Sequence, residues 1–386
     1  MNGWAFGFDF EPLLELLAMA ALIGAVPLLA WQWRHRRDPA ARRLRALTVL
    51  AVFLTFDLIL VGALTRLTDS GLGCPDWPGC YGSASPIGAR DEIHAAQTAM
   101  PTGPVTHGKA WMEMLHRYLA GGVGFLLVVL AGASWWLWWR SRREARAAPA
   151  GAVRLSPWWA TLSLVWILVQ GLFGAWTVTM KLFPAVVTMH LLLALGLLML
   201  LAWQAEAYEP RPLRWPPGLR RAFAAFTLLA IAQVALGGWV STNYAVLACQ
   251  DFPTCQGEWL PPTDFAHGFT LWRELGRGAH GGFLPFEALT AIHLAHRVGA
   301  MIVFAALLLL AVALWRRGGS DPEARRWARR LLAVGAWQLA SGLSNVVLGW
   351  PLVAALAHTG GAAALLLMCS IVLARVRAGT LTVNLT

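Results

Sequence analysis

Nine long apolar segments constrain the fold of this chain more than any other feature of its sequence. A transmembrane α-helix needs about 20 mostly apolar residues, and each segment approaches or exceeds that length. Lipid offers no hydrogen bonds to the backbone, so a segment that crosses it must pair its own N–H and C=O groups as a helix. The sequence therefore predicts an all-α polytopic membrane protein with about nine transmembrane helices. The predicted helices are residues 12–33, 46–66, 112–139, 157–180, 185–206, 222–243, 289–315, 330–350 and 353–375.

The composition supports the same class of protein. Charged residues make up 13% of the chain, about half of the roughly 25% that is usual in soluble domains. The formal net charge of +11 comes from short basic clusters between the apolar segments and not from one continuous stripe. We therefore expect the lipid bilayer, and no nucleic acid, as the partner of this surface.

The positions of lysine and arginine predict the orientation of the chain in the membrane. Of 31 such residues, 23 lie in the C-terminal tail and in loops 34–45, 140–154, 207–221 and 316–330, and only five lie in the alternate loops. Cytoplasmic loops carry the excess of basic residues, so the first set is predicted to be cytoplasmic. The N-terminus is then outside and the C-terminus inside.

The chain contains an internal repeat. The loop Cys74–Cys80 matches the loop Cys249–Cys255 in both cysteines, an aspartate, an aromatic residue and a proline, and Gly62 matches Gly237 at the same spacing. We interpret the repeat as two copies of one four-helix unit, related by a pseudo-twofold axis along the membrane normal. The predicted domains are an extra N-terminal helix with its basic loop (1–45), an N-terminal bundle (46–206), a cytoplasmic linker (207–221), a C-terminal bundle (222–376) and a tail (377–386).

Four histidines occupy matching positions in the two copies: His116, His190, His296 and His358. An imidazole in hydrocarbon needs a partner and is a functional candidate by default. A single one is often only a hydrogen-bonded packing residue, but the repetition favours a pair of axial haem ligands in each bundle. Zinc suits the pattern less well, because it prefers four tetrahedral ligands, commonly thiolates, and the paired cysteines lie in loops. The sequence also lacks the cysteine spacing that an iron–sulfur cluster requires.

One position differs between the copies. Glu113 lies three residues before His116, whereas His293 takes that place before His296. A carboxylate beside a haem ligand can move protons. We therefore predict that the first bundle is catalytic and that the second bundle serves only to bind its ligand or to hold electrons. The alternative is that Glu113 only pairs with Arg117 or a nearby lysine.

Arginines and cysteines beside the histidines are further candidates. Arg117 and Arg297 follow the first histidine of each copy and are predicted either to bind haem propionates or to reach lipid headgroups. The pairs Cys74–Cys80 and Cys249–Cys255 allow short-loop disulfides in an oxidising compartment. Each pair is either a structural clip over the site or a redox-active relay.

These residues closely resemble the heme A synthase family, in the branch with two outward cysteine pairs. The resemblance covers about residues 46–376, and the first predicted helix lies outside the eight-helix core of that family. It rests on Gly62–Cys74 (GALTRLTDSGLGC), Glu113–Arg117 (EMLHR), Gln170–Val178 (QGLFGAWTV), His190, the second cysteine pair, His296–Arg297 and His358.

The resemblance implies oxidation of the C8 methyl of heme O to the formyl group of heme A, for cytochrome oxidase assembly, in the bacterial cytoplasmic membrane. The implied partners are the farnesyl-transferring synthase that makes heme O, an electron acceptor and oxidase assembly factors. A homo-oligomer is also compatible with the sequence. Residue by residue, the resemblance implies a substrate-haem site at His116, His190 and Arg117 with catalytic Glu113, and a heme b site at His296, His358 and Arg297.

Two other classes of function fit the same histidines. A di-haem electron-transfer subunit linked to quinone would keep both pairs but does not need Glu113. A haem transporter or chaperone would also be built naturally from a repeat. The difference between Glu113 and His293 favours chemistry in one half of the chain only.

Overall fold

The computed structural model describes residues 11–144, 156–278, 282–319 and 321–383. The start of the predicted segment 1–45 and the end of the tail 377–386 lie outside these ranges. Inside them the chain is helical apart from its loops, and its only strand-like pairing consists of three isolated bridges. The helices are α1 Glu11–His35, α2 Ala40–Leu67, α3 Arg90–Ala99, α4 His107–Glu144, α5 Trp158–Thr179, α6 Pro184–Tyr208, α7 Pro217–Thr242, α8 Phe265–Gly268, α9 Phe286–Arg317, α10 Pro322–Val347 and α11 Leu352–Val383.

Eight of the described helices are long and apolar enough to cross a membrane: α1, α2, α4, α5, α6, α7, α9 and α11. They confirm the prediction of an all-α polytopic membrane protein. The remaining predicted segment, 330–350, is part of α10, which has 26 residues. Arginines crowd the first half of α10, and Gln338, Ser341 and Asn345 lie in its second half. Its composition, and not its length, therefore separates α10 from the other eight.

The chain forms two compact units, Met1–Lys181 with Leu200–Glu209, and Leu182–Met199 with Pro210–Thr386. In the first unit α4 is the central helix, and α1, α2, α3 and α5 all pack against it. The C-terminal end of α6 joins this unit through buried hydrogen bonds. The Ser163 hydroxyl donates to the Gln204 amide oxygen (2.8 Å), and the Gln204 amide nitrogen donates to the Tyr208 hydroxyl (2.9 Å). These polar side chains satisfy one another away from water.

In the second unit, four helices close into a ring. Helix α7 packs against α9, α9 against α10, α10 against α11, and α11 against α7. The N-terminal part of α6, up to Met199, belongs to this unit, where the Thr188 and Thr242 hydroxyls are 3.0 Å apart. The ring has the arrangement of a four-helix bundle, a fold that places ligand sites between facing helices.

Helix α1, which lies outside the predicted repeat, packs on α4 through small residues. A Cβ atom added to Gly121 would lie 2.8 Å from the Cβ of Ala20, and one added to Gly122 would lie 3.0 Å from a methyl group of Ile23. Gly24 also faces Gly122. Small residues let membrane helices approach closely and gain van der Waals contact, so α1 is an integral part of the first unit.

Candidate functional site

The two cysteine loops share one local structure as well as one sequence pattern. Cys74 and Cys80 form a disulfide with a Cα–Cα distance of 4.9 Å, and Cys249 and Cys255 form one with a distance of 4.7 Å. All four cysteines are at most 2% exposed. A soluble redox partner therefore has no direct access to the sulfur atoms, which favours the structural clip over the redox-active relay.

The hydrogen bonds of the aspartate common to both loops explain why this residue recurs. The Asp76 carboxylate accepts hydrogen bonds from the backbone N–H groups five and six residues later, at 2.6 and 2.8 Å. The Asp251 carboxylate accepts the equivalent two bonds at 2.7 and 2.9 Å. In each loop the residues that donate these bonds have positive φ angles, so the carboxylate stabilises a turn that the backbone would otherwise disfavour.

The charge of Asp251 contributes to this turn over a defined pH range. Hydrogen bonds from the Thr254 hydroxyl and from the N–H groups of Gly257 and Gln256 lower the pKa of Asp251 to about 2. Because the folded-state pKa is lowered, the contribution is present above the usual carboxyl pKa and is lost as the pH falls towards 2. At neutral pH the turn of the second loop is therefore fully stabilised.

Arg117 and Arg297 hold the two loops against their helices. Arg117 donates to three loop carbonyl groups at 2.5, 3.0 and 3.1 Å, the shortest being that of Gly79. Arg297 donates to the C=O of Thr254 (2.8 Å), the repeat equivalent of Gly79, and to that of Cys249 (2.9 Å). The sequence predicted propionates, lipid headgroups or, for Arg117, Glu113 as partners of these donors, and did not reveal the loop carbonyls. The available signal was that an arginine recurs after the matched histidine wherever the loop recurs.

Glu113 is tied to the first loop. Its side chain is buried, with only 3% of the residue exposed. One carboxylate oxygen accepts a hydrogen bond from the Cys74 N–H at 2.9 Å, and the other pairs with the Arg117 guanidinium. The pairing that the sequence left open as an alternative is therefore present. A catalytic role for Glu113 stays a prediction.

His293 makes the corresponding contact in the second copy. It is 4% exposed, and its Nδ1 lies 3.1 Å from the C=O of Ala245, which begins a short 3₁₀ turn before the second cysteine loop. The residue three positions before the matched histidine therefore bonds to the loop backbone in both copies. In the first copy the Glu113 carboxylate accepts a hydrogen bond from a loop N–H group. In the second copy the His293 imidazole lies beside a loop C=O group.

Glycines on neighbouring helices accommodate three of the four predicted ligand histidines. A Cβ atom built on each glycine would lie closer to the imidazole Cε1 than nearly all Cβ contacts in proteins, so a larger residue would require the ring to shift. The pairs are Gly62 with His116 (2.9 Å), Gly237 with His296 (3.0 Å) and Gly342 with His358 (3.1 Å).

His296 lies on α9 and His358 on α11, and both are half-buried. The amide nitrogen of Gln233 lies 2.9 Å from Nδ1 of His296 and 2.9 Å from its C=O. With the amide of Gln338 oriented to satisfy its neighbours, its nitrogen lies 3.0 Å from both Nδ1 and C=O of His358. The Ser341 hydroxyl oxygen is 3.1 Å from the same Nδ1. These contacts at Nδ1 fix the rotation of each ring.

This donor set fits haem iron better than zinc. Two imidazoles held on facing helices match the two axial positions of a haem. Zinc needs about four protein ligands in a structural site and three in a catalytic site. In the ranges that the structure describes, no group of three or more histidine, cysteine, aspartate or glutamate side chains is placed to hold a metal ion.

His116 and His190 lie on α4 and α6 respectively, and both are half-buried. His116 belongs to the first compact unit, and His190 to the part of α6 that belongs to the second. Their pairing around one haem stays a prediction.

Eight of the described helices are apolar enough to span a membrane, which defines a polytopic membrane protein, and histidines recur at matching positions of its sequence repeat. A family model described as "Cytochrome oxidase assembly protein", COX15-CtaA, matches residues 45–370. The chain belongs to the COX15-CtaA family, and the predicted resemblance to heme A synthases is confirmed.

Curated relatives named "Heme A synthase" match most of the chain. The protein of Shewanella oneidensis is 39% identical over 327 residues, which are 83% of this chain and 93% of that protein. The protein of Methylobacterium nodulans is 30% identical over 320 residues, 79% of this chain and 84% of its own length. The protein of Halalkalibacterium halodurans is 27% identical over 328 residues, 81% and 91% of the two chains.

Proposed function

We propose that this chain catalyses heme A synthesis, the oxidation of the C8 methyl group of heme O to a formyl group. The observation that carries the proposal is the match to relatives of that name along nearly their whole length, 93% for the Shewanella oneidensis protein. The family description places the reaction in cytochrome oxidase assembly. The protein is accordingly a membrane oxidoreductase.

We assign a heme b cofactor to the second unit, where His296 and His358 would hold its iron. When bound, such a haem supplies one-electron redox chemistry. The contacts at Nδ1 orient both imidazoles before the haem enters, which lowers the entropy lost on binding. Arg297 retains one donor for a propionate. Its Nε is buried and makes no hydrogen bond to any residue that the structure describes.

We assign the substrate, heme O, to His116 and His190 in the N-terminal copy. Arg117 is proposed to hold the first cysteine loop beside this substrate through the carbonyl contacts described above. Glu113 is proposed to accept protons that are released when the methyl group is oxidised. The bond to the loop backbone fixes the carboxylate at one position.

The proposed location is the bacterial cytoplasmic membrane, with both cysteine loops and the histidines towards the periplasmic face. The asymmetric distribution of lysine and arginine supports this orientation. The proposed partners are the farnesyl-transferring synthase that supplies heme O, an electron acceptor and oxidase assembly factors. The substrate itself is apolar enough to pass between membrane proteins through the lipid.

A membrane-impermeant maleimide tests this orientation. After reduction of the disulfides in spheroplasts, the reagent is expected to label Cys74, Cys80, Cys249 and Cys255 from outside. Without reduction no labelling is expected, because all four sulfur atoms are bonded and buried. Cys369 is buried inside α11 and serves as the internal control, which should react only after denaturation. Labelling that requires inverted vesicles would reverse the proposed orientation.

The pigments extracted from the purified protein test the proposed function. A heme A synthase is expected to contain heme B together with heme O or heme A. A quinone-linked electron-transfer subunit would contain heme B alone, and a haem transporter would exchange whichever haem is supplied without altering it. Conversion of added heme O to heme A by the purified protein, supplied with a chemical electron acceptor, would complete the assignment. Heme B alone with no conversion would contradict it.

A further inference from the structure

The segment 264–273, between the second cysteine loop and α9, is hydrogen-bonded to the ends of two long apolar helices. The backbone N–H of Asp264 donates to the C=O of Glu287, in the first turn of α9, at 3.0 Å. The indole N–H of Trp239, in the last turn of α7, donates to the C=O of Gly268 at 2.9 Å. The segment is therefore fixed where these two helices begin and end.

A third helix end fixes the level of the segment relative to the membrane. The ring of Trp272 packs on that of Phe183, with 4.6 Å between the ring centres, and Phe183 directly precedes α6. Helices α6 and α7 have 25 and 26 residues, so each is about 38 Å long at the helical rise per residue. Because a hydrocarbon core is about 30 Å thick, both helices end close to its boundary. The segment therefore lies at the membrane surface, the level at which tryptophan is enriched.

The side chains of the segment are arranged in the opposite way to those of a loop surrounded by water. Arg273 is 4% exposed, and its guanidinium donates to the side-chain oxygen of Asn243. By contrast, Phe265, Leu271 and Trp272 are 51%, 63% and 72% exposed. A buried charged group beside exposed large apolar groups is unusual on a soluble surface and indicates contact with an apolar medium.

Helix α3, at the corresponding place in the first copy, has the usual polarity of a surface helix. It buries Ile93, whereas Asp91 and Glu92 in its first turn are exposed. The reversed polarity of the segment 264–273 is therefore not repeated in α3, although both follow a cysteine loop of the same structure.

We propose that the segment 264–273 is an interfacial anchor that inserts Phe265, Leu271 and Trp272 into the lipid leaflet on the side of the cysteine loops. Lipid is the occupant because the segment is fixed at the surface of the bilayer that the neighbouring helices cross. Apolar side chains at that level enter the boundary between headgroups and acyl chains. Through the contact between Trp272 and Phe183, the inserted segment also holds the start of α6 at a defined depth. The inference requires only that α6, α7 and α9 cross a membrane, and it does not depend on the proposed chemistry.

Fluorescence quenching in liposomes tests the proposal. Leu271→Cys and Phe265→Cys, made separately in the full-length protein, are labelled with a nitrobenzoxadiazole maleimide and reconstituted in phosphatidylcholine and phosphatidylglycerol. The native cysteines stay unlabelled, because four form disulfides and Cys369 is buried. With iodide on both sides of the bilayer, both labels are expected to be several-fold less sensitive to iodide than a label in water. A spin-labelled phosphatidylcholine is expected to quench both.

Glu274→Cys is the matched control. Glu274 directly follows the segment, its side chain is 76% exposed, and it pairs with the exposed Arg277 at 3.3 Å. Exposed ion pairs contribute little to stability, so the replacement should leave the fold unchanged. The label at this position should be quenched strongly by iodide and only weakly by the spin-labelled lipid.

Two results would overturn the proposal. Iodide quenching of both test labels as strong as that of the control would place the segment in water. Protection of both labels from iodide and from the spin-labelled lipid would show that protein covers the segment, either a second copy of the chain or another subunit. Helical content measured by circular dichroism shows whether each variant is folded, and Phe265→Cys tests the same surface if Leu271→Cys fails to fold.

Discussion

Replacing His296 or His358 with alanine is expected to abolish the tightly bound b-type haem of this protein. Changes to groups behind a metal ligand already lower affinity by about 10- to 100-fold, so loss of the ligand itself should exceed that range. Neither change removes a contact that holds the cysteine loops, because those depend on Arg117 and Arg297. The protein should therefore remain folded. Haem content after purification and the reduced-minus-oxidised spectrum measure the effect.

His267→Ala provides the control for both variants. His267 lies in the short helix α8, where it pairs with the carboxylate of Asp264 at 2.6 Å, and it should be replaceable without loss of haem. Unchanged haem content and spectra in both His296→Ala and His358→Ala would rule out the C-terminal site.

Substituting Gln for Glu113 is expected to stall the conversion of heme O while leaving the b-type haem in place. General acid or base catalysis by one side chain contributes about 10²- to 10⁴-fold to a rate, which sets the size of the loss. Glutamine has nearly the same shape, and its amide oxygen can still accept the hydrogen bond from the Cys74 N–H. The loop should therefore stay closed although the ion pair with Arg117 is lost. The rate of heme A formation and the accumulation of a partly oxidised product are the measurements.

The state of the first loop decides how the Glu113→Gln result is interpreted. If the variant is slow and its cysteines remain unreactive to maleimide without reductant, the loss lies in the chemistry. If it is slow and Cys74 or Cys80 becomes reducible under mild conditions, Glu113 acts through the loop and is a structural residue. Wild-type production of heme A would exclude the catalytic role outright.

The apolar segments made most of the helices predictable, but their ends depend on groups outside the hydrocarbon. Helix α10 begins at Pro322 and not near residue 330, because the Asp321 side chain accepts hydrogen bonds from the N–H groups of Glu323 and Ala324 at 3.1 and 3.3 Å. Such a cap is typical of helix starts and is independent of hydropathy. Helix α3 was not predicted for a related reason. It is a ten-residue surface helix whose one buried residue is Ile93, too little for a recognisable apolar period.

The candidate site was predictable as far as the repeat marks it. Matched histidines, cysteines and glycines can be found by comparing the chain with itself, and the structure holds these histidines against these glycines. The loop carbonyls that Arg117 and Arg297 contact were not predictable. Every residue has a backbone C=O group, so the residue type does not show which one an arginine will contact. Glu113 shows the same limit. Its hydrogen bond to the Cys74 N–H joins residues 39 positions apart and depends on how the loop folds back.

Only four residues, 36–39, connect α1 to α2. Four residues reach about 14 Å when fully extended, well short of a hydrocarbon core about 30 Å thick, so the two helices run antiparallel and enter the bilayer as one hairpin. An added first helix of this kind leaves the direction of every later helix unchanged. What it does change is the side on which material fused ahead of α1 emerges. A reporter fused there should report the compartment opposite to that of the basic turn at 36–39, which makes it a direct assay of hairpin insertion during synthesis.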